Sequence, residues 1–144
     1  MPISAHRYHD ISCGHRVHGH EGKCAHLHGH NYRVHFTVEA DAGLDALGRV
    51  LDFGVIKSAL CQWLEDNWDH RFLVWDQDPL LDALMALDPD GVVAVPFNPT
   101  AENMAEHLVN QVAPAQLEGL GATLTAVTVD ETRKCSVSFI KPGR

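Results

Sequence analysis

The sequence predicts a single α+β domain in which an antiparallel sheet is backed by two helices. Alternating apolar and polar residues indicate one pair of strands at 9–15 and 32–40 and a second pair at 122–130 and 135–140. Between the pairs, two segments carry apolar residues every three or four positions, as helices packed on a core do. With 144 residues, 45% of them hydrophobic, the chain can bury one core, so we expect one domain over residues 1–144.

The first two strands are predicted from residue parity. From Tyr32 to Ala40 the apolar residues occupy every second position, so one face of this strand is expected to be buried. The preceding segment, His9 to His15, also places like residues on one face and should end at the turn around Arg16. Residues 17–23 then form a polar loop between the two strands.

The two helices are delimited by capping residues and prolines. Asp52 can cap a first helix that should end near Trp68. Thr100 can cap the second helix, and Pro114 is expected to end it.

The middle of the chain carries weaker signals. Pro79 opens a short apolar segment, Leu80 to Leu87, which predicts one or two helical turns. Residues 92–97 form an apolar run that contains Pro96, so a strand here is expected at an edge or at a strand end.

Composition excludes several classes of partner. The formal net charge of -8 opposes general binding to nucleic acid or to anionic membranes, and no apolar run reaches the about 18 residues of a membrane span. None of the four cysteines forms a Cys-x2-Cys pair, which favours a reducing cytoplasm. An anionic ligand would be received near the N-terminus, where the basic residues of the first 35 are Arg7, Arg16, Lys23 and Arg33.

The histidines indicate a metal site. Nine of the eleven lie in the first 35 residues, and His28 and His30 are two apart, so on a strand both point to one face and can converge on a cation such as Zn²⁺. A catalytic zinc site usually has three protein ligands and one open position, where a hydroxyl or carbonyl is polarised. We consider His15, at the end of the preceding strand, as the third ligand, with His26 as its rival.

Three further positions can carry chemistry. Cys24 lies four residues before His28 and can be an inert core residue, a base favoured as thiolate by Lys23, or a ligand that would close the metal site. Asp69-His70 is either a polar helix terminus or a proton relay. Glu131, at the end of the penultimate strand, is either a buried acceptor or a rim charge.

Taken together, these residues resemble the 6-pyruvoyltetrahydropterin synthase family, and most closely its bacterial branch, the 6-carboxytetrahydropterin synthases of queuosine biosynthesis. The resemblance runs nearly end to end. The similar motifs are Gly14-His15-Arg16 (the family's Ala-His-Arg), Cys24 through His30 (its Cys and paired His), Asp52-Phe53 (its Asp-Phe turn), Asp69-His70 (its catalytic Asp-His), Pro99-Thr100-Ala101-Glu102 (its Pro-Thr-Ser-Glu helix start) and Glu131-Thr132 (its pterin-anchoring Glu).

The resemblance implies a role for each site residue: zinc held by His15, His28 and His30, catalysis by Cys24 as base with Asp69 and His70 assisting, and pterin binding by Glu131 with Phe53, Thr100 and Glu102 on the substrate side. It also implies the tunnelling fold, with two strands, two helices and two strands per subunit. Six subunits would form a homohexamer from two trimers, with active sites between subunits.

The spacing of the Cys motif resembles that of the carboxy branch, since three residues separate Cys24 from His28. The implied reaction converts 7,8-dihydroneopterin triphosphate to 6-carboxy-5,6,7,8-tetrahydropterin, acetaldehyde and triphosphate. One alternative is a pyruvoyl-type synthase that only expels triphosphate, and another is a non-enzymatic, zinc-stabilised binding or assembly protein. The chain departs from the family pattern at Cys13, where a small residue is usual, and at residues 76–91, a longer middle segment.

Overall fold

The computed structural model describes residues 3 to 143, and its centre is a six-stranded sheet. In chain order the strands are β1 Ser4–His15, β2 His28–Ala40, β3 Phe72–Trp75, β4 Val92–Val95, β5 Ala122–Asp130 and β6 Ser136–Ile140. Their order across the sheet is β4-β3-β1-β2-β5-β6. The two predicted strand pairs therefore lie side by side at the centre and one edge.

The predicted α+β class is confirmed, but the sheet is mixed rather than wholly antiparallel. Strands β1, β2, β5 and β6 pair antiparallel, whereas β3 runs parallel to both β1 and β4. The sequence analysis missed β3, because its run of Phe-Leu-Val-Trp has no alternation; Leu73 and Val74 are both fully buried, as in an interior parallel strand. Strand β4 lies at the sheet edge and ends just before Pro96, as predicted.

The helical segments are α1 Phe53–Ile56, α2 Gln62–Asn67, α3 Leu81–Leu87, α4 Ala101–His107 and α5 Ala113–Gln116. A π-helical segment, Lys57–Cys61, joins α1 to α2, so that together they form the first predicted helix. Asp52 caps it by accepting a hydrogen bond from the backbone N–H of Gly54 at 2.7 Å. This helix ends just before Trp68, as predicted. Helix α3 confirms the one or two helical turns predicted for Leu80 to Leu87.

The second long helix begins as predicted but ends later. The Thr100 hydroxyl accepts from the N–H of Asn103 at 3.1 Å and caps α4. The prediction that Pro114 ends this helix is wrong, since α5 continues to Gln116. Pro114 comes two residues after the end of a π-helical segment, Leu108–Val112, whose wider turn changes the hydrogen-bond spacing ahead of a residue that has no N–H to donate.

The two long helices pack on one face of the sheet and enclose the main core, whereas α3 packs on the other face against β3 and β4. On β2, Tyr32, Val34, Phe36 and Val38 are each at most 1% exposed and face the helices, while the alternate residues face outward. Along β1 and β2 the opposite face is polar; Arg33 there donates to both carboxylate oxygens of Asp10. His28 and His30 continue the parity of the buried face to its end.

Within residues 3–143, every helix is too short or too polar to cross a membrane.

The packing predicts a sharp contrast between two leucines. Leu64→Ala should lower the free energy of unfolding by about 2–5 kcal/mol, because Leu64 is fully buried under the sheet. Leu87→Ala, the same change at a position 81% exposed, should alter it by about 0.5 kcal/mol or less. Urea unfolding followed by circular dichroism measures both, and equal losses would contradict the described core.

Candidate functional site

The pairing of β1 with β2 brings three histidines together. His15 lies opposite His28 in the antiparallel register, and Cys13 lies opposite His30. All three imidazoles project from the helix-facing side at the end of the core. Within residues 3–143, His15, His28 and His30 form the group able to hold a metal ion, with their ligand nitrogens within 4.8 Å of one another.

Backbone carbonyls fix which nitrogen each ring presents. His15 Nδ1 lies 2.6 Å from the carbonyl oxygen of Pro99, and His28 Nδ1 lies 2.8 Å from that of His26. Because a carbonyl only accepts, each Nδ1 must carry the hydrogen, and each Nε2 keeps its lone pair for a ligand role. Such a second hydrogen bond is typical of metal-binding histidines, where it fixes ring orientation.

The donor set fits a metal ion. Within residues 3–143, the buried Nε2 atoms of His28 and His30 have no hydrogen-bond partner, which is costly unless something binds them. Burial lowers the pKa of His15 to about 4, so its ring is neutral near pH 7, as a ligand must be. Three neutral imidazoles suit zinc among the common divalent ions.

His26, the alternative third ligand, lies outside this group. Its side chain is exposed at the end of a short 3₁₀ turn, Lys23–Ala25, and its contribution is the backbone carbonyl that orients His28. The geometry therefore favours His15 over His26.

Tyr32 is a site residue that the sequence analysis assigned only to the core. Its hydroxyl lies 3.2 Å from Nε2 of His15. Burial raises the pKa of Tyr32 well above its ordinary value, so its hydroxyl keeps its proton. Its shared parity with His28 and His30 was the available signal, because a buried phenol needs a polar partner.

Cys24 and Glu131 lie in segments that adjoin β2, the strand of His28 and His30. Cys24 is half-buried within the 3₁₀ turn and is not one of the three grouped residues. Glu131 follows the last residue of β5, and its carboxylate comes within 3.6 Å of Nε2 of His30. Glu131 therefore borders the histidine group, and Cys24 lies in the turn that leads into the strand of His28 and His30.

Asp69 and His70 form a pair at the sheet's polar side. One carboxylate oxygen of Asp69 accepts from the backbone N–H of Ser12 at 2.9 Å, and the other contacts Nδ1 of His70 at 2.8 Å. Burial alone would raise the pKa of Asp69, but these bonds lower it below its usual value, so the carboxylate stays ionised. His70 is 78% exposed, has a φ of 57°, and lines a shallow pocket together with His30.

The remaining predicted residues have clear local positions. Phe53 is the first residue of α1 and is 61% exposed. Thr100 uses its hydroxyl as a helix cap, and Glu102 is exposed in the first turn of α4, where a negative charge stabilises a helix. Contact of these three with a substrate stays a prediction. Cys13 is buried, and burial raises its pKa to about 12, so its thiol is neutral and packs within the main core.

A statistical model of the family described as 6-pyruvoyl tetrahydropterin synthase matches residues 4–142 of this chain. The chain belongs to the 6-pyruvoyl tetrahydropterin synthase family. A member named 6-carboxy-5,6,7,8-tetrahydropterin synthase, from Rickettsia bellii, is 36% identical over 129 residues, which cover 89% of this chain and 93% of that protein.

A second relative and a solved structure extend this comparison. A probable 6-carboxy-5,6,7,8-tetrahydropterin synthase from Halobacterium salinarum is 42% identical over 123 residues, covering 85% of this chain and 76% of the relative. The crystal structure of an uncharacterized protein from Wolinella succinogenes superposes with a TM-score of 0.83 over 97% of this chain and 98% of that one. At 23% identity, that likeness concerns the fold alone.

The three-histidine geometry predicts which substitutions release a metal. His15→Ala, His28→Ala and His30→Ala should each lower bound zinc, because each removes one of the converging nitrogens. His26→Ala should leave zinc content unchanged, since its backbone carbonyl survives the substitution. Elemental analysis after dialysis measures the effect, and equal loss at His26 would overturn this ligand set.

The buried ring of His15 predicts how the metal-free protein responds to pH. Its pKa is about 4 in the fold against an ordinary value of 6.5, so the unfolded chain binds the extra proton more readily. The contribution of the neutral His15 ring to the free energy of unfolding should therefore be fully present above about pH 6.5 and should be lost as the pH falls towards about 4. Unfolding titrations across this range should show a flatter profile for His15→Gln, and an unchanged profile would contradict the assignment.

Proposed function

We propose that this protein is a zinc-dependent 6-carboxy-5,6,7,8-tetrahydropterin synthase. Its substrate would be 7,8-dihydroneopterin triphosphate, and its products 6-carboxytetrahydropterin, acetaldehyde and triphosphate. The observation that carries this proposal is the similarity to synthases of that name over 85–89% of the chain. The converging histidines support it independently, since they offer a site for the metal.

His15, His28 and His30 would hold the zinc ion through Nε2. When bound, the ion would supply positive charge that stabilises negative charge developing on oxygens of the substrate side chain. The carbonyls of Pro99 and His26 keep two of these rings in the required tautomer.

Cys24 would take and return protons on the substrate side chain. It stands outside the histidine group, which leaves its sulfur available for proton transfer rather than for coordination. His70 would carry protons onward, with its ring oriented by the ionised carboxylate of Asp69. The His70 side chain is 78% exposed in a single chain, as expected for a residue of an active site that lies between subunits.

Glu131 would bind the amino-pyrimidine edge of the pterin. A carboxylate accepts two adjacent N–H groups well, and Glu131 is close to His30, so the pterin ring and the reacting side chain could be held together. Further contacts with the substrate are proposed for three residues at the starts of the two long helices: Phe53, Thr100 and Glu102.

The assembly and setting are proposed from the family resemblance and the cysteines. Six chains would form a homohexamer of two trimers with active sites between subunits. All four cysteines are unpaired, in keeping with a reducing cytoplasm, and the product would serve queuosine biosynthesis.

Product analysis tests the proposed reaction. Carboxy formation requires cleavage of the bond between the two carbonyl carbons of a pyruvoyl side chain, with one water consumed and a two-carbon aldehyde released. Incubation of the zinc-loaded protein with 7,8-dihydroneopterin triphosphate should therefore yield acetaldehyde and triphosphate in equal amounts. Triphosphate with a pyruvoyl product and no acetaldehyde would assign the protein to the pyruvoyl synthases instead.

Cys24→Ala is the matched test of whether the site is catalytic. The proposed role predicts full zinc content and a fall in turnover of about a hundredfold or more, because a positioned acid or base is lost. Loss of zinc together with Cys24 would point to a structural metal site in a non-enzymatic protein.

A further inference from the structure

Arg16, the residue after His15, binds three different groups with its guanidinium. Its Nε donates to a carboxylate oxygen of Asp78 at 2.7 Å, one terminal nitrogen donates to the carbonyl of Ala25 at 3.3 Å, and the other lies 3.0 Å from Nδ1 of His18. Ala25 directly follows Cys24. Arg16 therefore connects the turn that carries the thiol to a distant acidic residue.

The ion pair at the centre of this arrangement is buried. The side chain of Arg16 is 14% exposed and that of Asp78 is fully buried. The second carboxylate oxygen of Asp78 accepts from the backbone N–H of Leu80 at 2.9 Å, so both oxygens are bonded. Separation of the two side chains would leave an uncompensated buried charge, and because that is costly the pair keeps its geometry. Asp78 lies in the longer middle segment, residues 76–91.

Three further hydrogen bonds hold the same loop in place. The side chain of Asn98 bonds both the N–H and the carbonyl of His18, at 3.1 and 2.9 Å. Across the loop, the N–H of Val17 donates to the carbonyl of Cys24 at 2.9 Å. The carbonyl of Cys24 is thus bonded to Val17, and that of the next residue, Ala25, to Arg16.

We propose that Arg16 and Asp78 are positioning residues that hold the turn of Cys24 in the position that proton transfer requires. This rests on the proposed function, in which Cys24 transfers protons. The middle segment thereby gains a role in the active site without touching the substrate: it supplies the carboxylate that fixes the guanidinium.

The chemistry of the contact favours arginine. A planar guanidinium donates in three fixed directions, whereas lysine has one compact ammonium group that cannot reach Asp78, Ala25 and His18 together. Arg16→Lys should therefore preserve the charge and the fold but lose the fixed turn.

The test uses the zinc-loaded, full-length protein with Arg16→Lys and Asp78→Asn. Both should lower kcat by about tenfold to a hundredfold while zinc content and KM change little, because a misplaced thiol affects proton transfer more than binding. Asp82→Asn is the matched control, an exposed aspartate of the same segment. Its kcat should equal that of the parent protein.

Thiol alkylation provides the readout that a merely structural role would not change. Iodoacetamide modification, followed by peptide mass mapping, should show a several-fold change in rate at Cys24 in both variants. Cys135, an exposed thiol in the turn before β6, is the internal reference and should react at its original rate.

A double variant, Arg16→Met with Asp78→Leu, removes the buried charges together and so avoids an unpaired charge in the fold. It should keep the parent's thermal midpoint and still lose kcat to the same degree as Arg16→Lys. Parent values of kcat and of Cys24 alkylation in these variants would overturn the positioning role. Full activity in Cys24→Ala would instead overturn the proposed function on which it rests.

Discussion

The pairing register of β1 and β2 is the constraint on which the rest of the site depends. It places His15 opposite His28, and the pleat then turns His28 and His30 to the side that carries Tyr32. A shift of one residue would move either strand's histidines to the opposite face. The buried residues further along both strands prevent such a shift, because it would expose the core. Core packing and metal-ligand geometry are thus set by one register.

The second long helix supports that arrangement from its start. Pro99, just before the capping residue Thr100, offers the carbonyl that orients His15, and Asn98 holds the loop that leads to Cys24. A few residues at one helix terminus therefore act on both the ligand set and the thiol. Displacement of this terminus would disturb two parts of the site at once, although neither is adjacent to it in sequence.

Much of this could be predicted because it follows from local patterns. Alternation in residues 32–40 and the caps at Asp52 and Thr100 give strands and helix starts directly, since each depends on neighbouring residues. Strand β3 could not be predicted in this way, because burial on both faces removes its periodicity. The continuation of the helix past Pro114 depends on a π turn that no local pattern indicates.

The candidate site divides similarly. The spacing of His28 and His30 indicates a metal site without further information, whereas the choice of His15 over His26 becomes clear only from the strand register. The hydroxyl of Tyr32 and the link from Arg16 to Asp78 join residues far apart in sequence or hidden in an apolar pattern. Such contacts depend on tertiary packing, which local periodicity does not encode.

X-ray absorption at the zinc edge tests the central claim most directly, because it reports the atoms bound to the ion in the loaded protein. The three-histidine centre predicts a first shell of nitrogen and oxygen at about 2.0–2.1 Å with imidazole scattering from about three rings and no sulfur. A sulfur scatterer at about 2.3 Å would make Cys24 or Cys13 a ligand. That result would contradict both the ligand set and the catalytic role proposed for the thiol.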